Sequence, residues 1–172
     1  MNKMLLSFTL SMLFTSYLTA QKTADKLESN AEIFSETAGS FVQRGFEPIG
    51  VVARCKLECL HIKDLISGHS ISALRFEGGL GSKAAIIDAD EIAALISSIQ
   101  ILNKTMAATA PQYYTEVNFK SRSGFSAGAF FEKGKWTQFM KLIPYDSDTF
   151  ITLSTDDMDK LLNELQTTKS KL

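Results

Sequence analysis

The stretch Phe150–Met158, FITLSTDDM, joins a short apolar strand to the first turn of an amphipathic helix. Ser154 follows the apolar residues directly and is a favoured helix N-cap, while Asp157, three residues later, completes a capping box with it. Apolar residues then recur at helical spacing, at Met158, Leu161, Leu162 and Leu165. That spacing turns one face of the helix towards a core. The stretch therefore predicts a helix that begins at the end of a strand and packs on a β-sheet.

A second stretch of the same kind lies earlier in the chain. Its apolar strand is 84–87, its acidic helix start is 88–91, and apolar residues follow at Ile92, Leu95, Ile96 and Ile99. Before each stretch, strand-like segments are separated by glycine or proline, which is typical of antiparallel strands joined by turns. The predicted strands are 39–46, 49–59, 70–76 and 83–87 in the first half, and 114–121, 125–131, 135–143 and 150–153 in the second.

These patterns predict an α+β fold. We expect a strongly bent antiparallel sheet built from two β4α-like halves, residues 39–107 and 112–172, with two long helices packed against it. An N-terminal helix is predicted over residues 22–38, where apolar residues recur at helical spacing before Gly39. Small residues between positions 107 and 111 separate the halves. Few positions are identical between the halves, so the order of elements is the main indication of an internal repeat.

Residues 1–20 have the pattern of a cleavable secretory signal. Lys3 gives a basic start, residues 4–18 are mostly apolar, and Ala20 precedes a polar segment that begins at Gln21. A membrane anchor is the alternative, but the apolar run is shorter than the roughly 20 residues of a spanning helix and contains several serines and threonines. The sequence therefore predicts that residues 21–172 form one exported domain, periplasmic or extracellular, with no membrane span after cleavage.

Composition and charge limit the classes of partner. The chain has 172 residues, a hydrophobic content of 45% and a formal net charge of −1. A near-neutral chain lacks the basic surface that binds nucleic acids or anionic lipids. The two cysteines, Cys55 and Cys59, share one predicted strand, on which residues four apart are separated by roughly 13 Å. A disulfide needs Cα atoms within about 7 Å, so we expect two buried, unpaired thiols.

The order of elements resembles the repeats of the Pur-alpha and PC4-type single-stranded nucleic-acid-binding proteins. The resemblance covers roughly residues 39–172, and its best local match is the aromatic-rich strand that runs into Ile151–Ser154 and the acidic helix start. It implies a bent antiparallel sheet with packed helices and, as a function, the binding of single-stranded nucleic acid. Those families are basic and intracellular, whereas this chain is near-neutral and predicted to be exported. Nucleic-acid binding is therefore kept as an alternative.

Two glycine-containing motifs are similar to catalytic or phosphate-binding loops. Residues 124–128, GFSAG, match a nucleophile elbow, but a strand pattern continues after Ser126, and both histidines, His61 and His69, precede it. Residues 78–83, GGLGSK, lack the Gly-Lys order of a P-loop and lead into a strand instead of a helix. We therefore interpret the first motif as glycines in a closely packed strand and the second as a turn.

Metal and cofactor sites are not indicated either. The acidic residues cluster at Asp88, Asp90 and Glu91, and again at Asp146 and Asp148. Helix capping explains the first cluster and turn chemistry the second, and neither has the ligand pattern of a calcium loop. The two histidines bracket a predicted hairpin without a third ligand at a defined spacing. The sequence predicts no metal, no cofactor and no catalytic set, and hence no enzyme.

Aromatic residues interleaved with basic ones are concentrated in the second half. Such interleaving forms either a core or a surface on which bases or sugars stack, and one face of the sheet must form the core. The candidate binding residues are Phe130, Trp136, Arg122 and Lys135. We expect a non-catalytic exported module that binds a protein partner or a small ligand. An enzyme of unrecognised type and a single-stranded nucleic-acid-binding protein are the alternatives.

Overall fold

The computed structural model describes residues 27–78, 83–108 and 110–172. The predicted signal, residues 1–20, and the first part of the predicted N-terminal helix lie outside the described residues. In chain order the elements are α1 (Asn30–Glu36), β1 (Val42–Val52), β2 (Cys55–Asp64), β3 (Ser70–Gly78), β4 (Lys83–Asp88), α2 (Ile92–Ala108), β5 (Thr115–Lys120), β6 (Ser126–Glu132), β7 (Lys135–Lys141), β8 (Phe150–Leu153) and α3 (Thr155–Lys169). Short 3-10 turns at Ala89–Glu91 and Ser147–Thr149 precede α2 and β8.

The strands form two antiparallel sheets of four, each a simple meander in the order β1-β2-β3-β4 and β5-β6-β7-β8. The α+β class, the N-terminal helix and the two runs of four strands followed by a helix are confirmed. The expected antiparallel sheet built from two halves is present as two four-stranded sheets, one from each half, with α2 between β4 and β5 in the chain.

The long helices begin at the residues that the capping signals predict. The Ser154 hydroxyl accepts a hydrogen bond from the backbone N–H of Asp157 at 3.1 Å, and the Asp157 carboxylate accepts from the Ser154 N–H at 3.0 Å. At the other helix start, the Glu91 carboxylate accepts from the Asp88 N–H at 3.3 Å. These contacts satisfy N–H groups that a helix leaves without internal partners.

Each long helix packs against the sheet of the other half. α2 follows the first sheet but contacts β5 and β6, and α3 follows the second sheet but contacts β1 as well as α2. The resulting core is a single cluster, in which the Phe76 ring of the first sheet stacks on the Phe125 ring beside the second, with centroids 4.8 Å apart. The two halves therefore share one core and are held together by exchanged helices.

α1 covers the opposite face of the first sheet. Ala31 of this helix is buried with Leu60, Ile62 and Ala73 in a second, smaller apolar cluster. The first sheet thus lies between α1 on its outer face and the shared core on its inner face. The corresponding outer face of the second sheet carries exposed side chains at Glu116, Asn118, Lys120 and Thr152. This asymmetry leaves one sheet face open to solvent over much of its area.

One predicted strand is corrected by the structure. The alternation of apolar and polar residues through positions 53–59 placed Ala53 and Cys55 in the same strand. Instead, the chain reverses at a two-residue turn formed by Ala53 and Arg54, with φ angles of 47° and 67°, and β1 runs on through Pro48 with a bulge. Turns of this kind normally carry asparagine or glycine, so neither residue signals it in the sequence.

The interpretation of the 124–128 glycines and of the cysteines agrees with the structure, whereas residues 79–82 of the predicted 78–83 turn lie outside the described residues. A Cβ on Gly128 would lie 2.2 Å from the carbonyl oxygen of Val117, so β5 and β6 approach closely where the elbow-like motif occurs, and β6 continues as a strand. Cys55 and Cys59 are buried free thiols, and burial raises the pKa of Cys55 to about 12. Within the described ranges, no helix is long and apolar enough to cross a membrane.

Candidate functional site

Four aromatic rings cross the outer face of the second sheet, one from each strand or its flank. This aromatic row consists of Tyr114, Phe130, Phe139 and Phe150. The centroid distances between successive rings are 6.2, 6.1 and 5.1 Å. The row runs diagonally across the strands. The residue directly opposite each ring on the neighbouring strand lies two positions from the next ring of the row. Diagonal neighbours of this kind are within reach of aromatic side chains.

A central ring of the row is buried, whereas the two end rings are exposed to solvent. Phe139 is only 4% exposed, whereas Tyr114 is 63% and Phe150 41% exposed. The Tyr114 hydroxyl donates to the Glu116 carboxylate at 3.1 Å, which raises the pKa of Tyr114. The phenylalanines at the centre therefore give the face rigidity, and the two end rings are available to a ligand.

A groove of about 630 Å³ begins at the Phe150 end of the row. Its volume is within the range of small-molecule and peptide sites. One wall is the turn between β1 and β2, and the other comprises β8, the 3-10 turn before it and the first turn of α3. The lining residues are Ala53, Arg54, Ser147, Asp148, Phe150, Ile151, Thr152 and Asp157. The groove thus lies where the first half meets the second.

The backbone of β8 is part of the groove wall. β8 is the last strand of its sheet and pairs only with β7 among the described strands. Three successive residues, Phe150–Thr152, line the groove. Side chains of successive strand residues point to opposite faces, so a surface lined by all three must run along the backbone edge. Among the described residues, the Phe150 N–H donates to the Ser147 carbonyl of the preceding 3-10 turn, and no other backbone hydrogen bond joins this edge to a segment outside β7.

The opposite wall is held in an unfavourable backbone conformation. Ala53 and Arg54 both have left-handed φ angles, which cost a residue with a Cβ about 1 kcal/mol or more. Tyr145, near the groove in the β7–β8 loop, is also left-handed, and its side chain is 96% exposed. Strain of this kind is concentrated at functional sites more often than elsewhere.

The turn lies beside the start of α3. The Ser154 hydroxyl and backbone N–H donate to the Asp157 carboxylate at 2.6 and 3.0 Å and lower its pKa, and the nearby N–H of Ala53 lowers it further. Arg54, the next residue, forms no ion pair with any described residue, in contrast to Arg75 and Arg122, whose guanidinium groups bind carboxylates. The groove is therefore lined by a guanidinium group without an ion-pair partner among the described residues.

An ion pair borders the groove on its far side. Lys83 Nζ lies 2.6 Å from Asp146 Oδ2 and 3.7 Å from Asp148 Oδ2, and these carboxylates raise the pKa of Lys83. Because Lys83 is in β4 and both aspartates precede β8, the pair connects the two sheets. Asp148 is thereby partly neutralised and the Asp157 carboxylate is bound by Ser154, so Arg54 is the charged lining residue without an ion-pair or hydrogen-bond partner among the described residues.

The structure separates the four candidate residues proposed from the sequence. Phe130 belongs to the aromatic row, and Lys135 is exposed on the same outer face at the opposite end from the groove. Trp136 points to the inner face, half-buried, with its ring 5.4 Å from that of Phe131 and packed against the core. Arg122 lies in the β5–β6 loop and binds the acidic start of α2. The four do not form one site.

No local sequence pattern indicates Arg54, whose turn lacks glycine and asparagine, or the exposed edge of β8. Phe150 was part of a visible aromatic strand, but its position beside the groove depends on how the two halves pack. To predict a groove between the two halves, one must know how the halves are placed relative to each other. Local spacing does not contain that information.

The two histidines lie apart from the groove and from each other. His61 Nδ1 is 2.9 Å from Ser72 Oγ, and its Nε2 is 3.7 Å from Glu47 Oε2, on the inner face of the first sheet. His69 packs edge-on against Phe34 of α1. His61 is six residues along β2 from the groove end, a separation of roughly 20 Å. Among the described residues, no group of three His, Cys, Asp or Glu side chains is arranged to hold a metal.

Comparison with known proteins adds no relative. No protein-family model, curated protein or solved structure matches this chain.

Proposed function

We propose that this protein is an exported, non-catalytic binding module whose ligand site is the groove together with the Phe150 end of the aromatic row. The observation that carries the proposal is the junction of these two features. A row of exposed and buried rings ends at a groove lined by a strained turn and by a guanidinium group that no described residue pairs with. Aromatic surface, one positioned charge and a preformed cavity are the usual components of a binding site.

The surroundings of the groove favour binding over catalysis. The contacts between Ser72, His61 and Glu47 have the order of a hydrolase triad, but these residues lie on an open sheet face roughly 20 Å from the groove. The acyl-transfer chemistry of a triad also needs a pocket that positions a substrate beside the serine. The groove provides a cavity and charged groups that can bind a ligand, whereas Ser72, His61 and Glu47 provide only contacts between side chains.

The charge of the outer face favours a ligand other than a polyanion. Lys120, Lys135 and Lys141 share this face with Glu116 and Glu132, so the signs are mixed. A protein that follows the backbone of a single-stranded nucleic acid needs a continuous basic groove. The resemblance in element order to Pur-alpha and PC4-type repeats therefore concerns the fold, and it gives little support to a nucleic-acid ligand.

The proposal is tested by ligand titration of the exported protein, whose N-terminus we expect near Gln21. Backbone amide NMR spectra are recorded with chitohexaose, cellohexaose, a twelve-residue oligothymidylate and a pool of random heptapeptides. We expect one class of probe to shift amides of β8 and of the Ala53–Arg54 turn. Phe150→Ala should weaken that binding at least tenfold, because it removes the ring that joins the row to the groove.

Phe41→Ala is the matched control, since Phe41 is an exposed phenylalanine at the first sheet and lies outside the groove lining. It should leave the affinity unchanged. Both variants should retain the wild-type spectrum elsewhere. If no probe shifts the groove amides, or if the shifts are centred on His61 and Ser72, the proposed site is wrong.

A further inference from the structure

The inference concerns the class of ligand and rests on the proposed function. We propose that the groove binds an extended peptide, which adds to β8 as a fifth strand of the second sheet and places a carboxylate on Arg54. The partner is therefore a chain segment with an acidic group, or its own C-terminus, next to an apolar or aromatic residue. Three features of the groove support this assignment: its backbone edge, its guanidinium group and the direction of its side chains.

The backbone edge is the strongest of the three. A small ligand recognised only by side chains has no need of a strand edge, whereas a peptide that adds to a sheet obtains its affinity from main-chain hydrogen bonds. β8 presents four residues, about 13 Å of strand, without another described strand beside it. An exposed strand edge of this kind carries N–H and C=O groups that another chain can pair with.

The guanidinium group sets the charge of the partner. Arg54 lies across the groove from β8 and has no carboxylate partner among the described residues. A carboxylate binds an arginine through two parallel hydrogen bonds, which fix its orientation as well as its charge. The turn closes the β1–β2 hairpin, in which Val52 pairs with Cys55, so the Arg54 side chain projects from a paired hairpin end. A peptide in the groove therefore gains most from one acidic group opposite this turn.

Side-chain direction sets the neighbouring residue of the partner. Phe150 and Thr152 of β8 belong to the outer face, while Ile151 packs towards the core. Alternate side chains of an added strand would lie on the same outer face, next to Phe150. An apolar or aromatic side chain there would continue the row of rings by one further strand. Bound this way, the peptide presents its other side chains towards the groove floor and Arg54.

The test begins with selection of a phage-displayed random heptapeptide library on the purified protein. We expect a consensus with an acidic residue close to an aromatic or large apolar one. The synthetic consensus peptide is then N-methylated at one residue at a time. Because only alternate residues of an added strand donate to β8, methylation should weaken binding at least tenfold at every second position and have little effect between them.

Arg54→Gly provides the test from the side of the protein. Glycine adopts the left-handed turn freely, so this variant should be at least as stable as the wild type while its affinity for the consensus peptide falls at least tenfold. Lys133→Gly is the matched control. It also removes a cation from a left-handed turn position, but it lies at the β6–β7 turn, roughly 20 Å along the sheet from the row of Phe150. We expect it to leave peptide affinity unchanged.

The outcomes separate this inference from the proposed function. If no peptide is selected while an oligosaccharide or the oligothymidylate shifts the groove amides, the peptide assignment is wrong and the binding site stands. Methylation effects without two-residue alternation also overturn strand addition. A protein that dimerises through β8, detected by sedimentation and abolished by a proline in this strand, would show that the occupant is a second copy. If no probe of any class affects the groove, both proposals fail.

Discussion

Asp88 connects three segments that are far apart in the sequence. Its carboxylate accepts hydrogen bonds from the backbone N–H groups of Asn30 and Ala31, at 2.8 and 3.0 Å, and from the Nε of Arg122 at 3.0 Å. The side chain is only 2% exposed. One residue at the end of β4 thus fixes the first turn of α1 and the β5–β6 loop. In this position the carboxylate joins distant segments of the chain by hydrogen bonds, in addition to its place at the start of its own helix.

We predict that Asp88→Asn destabilises the protein by about 2 kcal/mol, because the amide offers only one acceptor to the two buried N–H groups of α1 and removes one of the three carboxylates around Arg122. Urea unfolding monitored by circular dichroism gives the free energy. Asp90→Asn removes a carboxylate from the same cluster at an exposed position and should cost less than about 1 kcal/mol. Equal effects of the two substitutions would mean that the bonds to α1 contribute little.

The sequence indicates that Asp88 begins a helix, but it does not indicate which distant groups bind to its carboxylate. An aspartate before an apolar helical repeat indicates a helix start, and the helix does begin there. The bonds to Asn30 and Ala31 join residues 57 and 58 positions apart in the chain, a distance that no local pattern describes. Arg54 illustrates the same limit. Its importance comes from the groove around it and from the partner that it lacks.

Among the elements, the start of α3 combines two tasks. The Ser154–Asp157 capping box begins the helix, and the Asp157 side chain also lines the groove together with Ala53 of the β1–β2 turn. One carboxylate therefore belongs both to the helix start and to the wall of the groove. Its charge state links the stability of this corner to pH.

Hydrogen bonds from Ser154, first from its hydroxyl and then from its N–H, hold the pKa of Asp157 below its ordinary value. A lowered carboxyl pKa stabilises the folded state above the unfolded pKa of about 4, and this stabilisation is lost as the pH falls through the folded value. We predict that the melting temperature of the wild type falls more steeply below pH 4 than that of Asp157→Asn, which does not titrate.

Differential scanning calorimetry between pH 6 and pH 2.5 measures this difference. Asp159→Asn, at an exposed position of the same helix, should keep the wild-type pH profile. If Asp157→Asn and the wild type have parallel profiles, the carboxylate does not titrate with folding.

The elements themselves were largely predictable, for physical reasons. Capping boxes and apolar periodicity are local, so the starts of α2 and α3 follow from a few residues each. The β1–β2 turn was misplaced because Ala53 and Arg54 adopt left-handed angles without glycine, and Pro48, which normally ends a strand, lies inside β1 at an edge bulge. At the turn and at Pro48, tertiary contacts outweigh the local conformational preferences of the residues.

For the molecule as a whole, the exchange of helices between the halves is the dominant feature. The apolar face of an amphipathic helix shows that it needs a sheet, but it does not show which one. Both sheets offer similar surfaces of Leu, Ile and Phe, so the sequence predicted two β4α halves without the crossing of α2 and α3. That crossing creates the groove, and hence the site was beyond prediction as well.

We predict that neither half folds alone. A fragment ending at residue 110 contains α2 without β5 and β6, and a fragment beginning at residue 111 contains α3 without β1. Each exposes the apolar face that the other covers, so both should show unfolded amide spectra separately and the native spectrum when mixed. The intact chain should unfold in one cooperative transition. A folded fragment 27–110 in isolation would contradict the prediction.

The packing of α3 against β1 also has a consequence for synthesis. The ribosome produces β1 well before α3, yet each completes the surface of the other. Until α3 has been made, the part of β1 that it covers has no partner. We therefore expect the shared core to close only after α3 has been synthesised, so that folding follows translation of both halves.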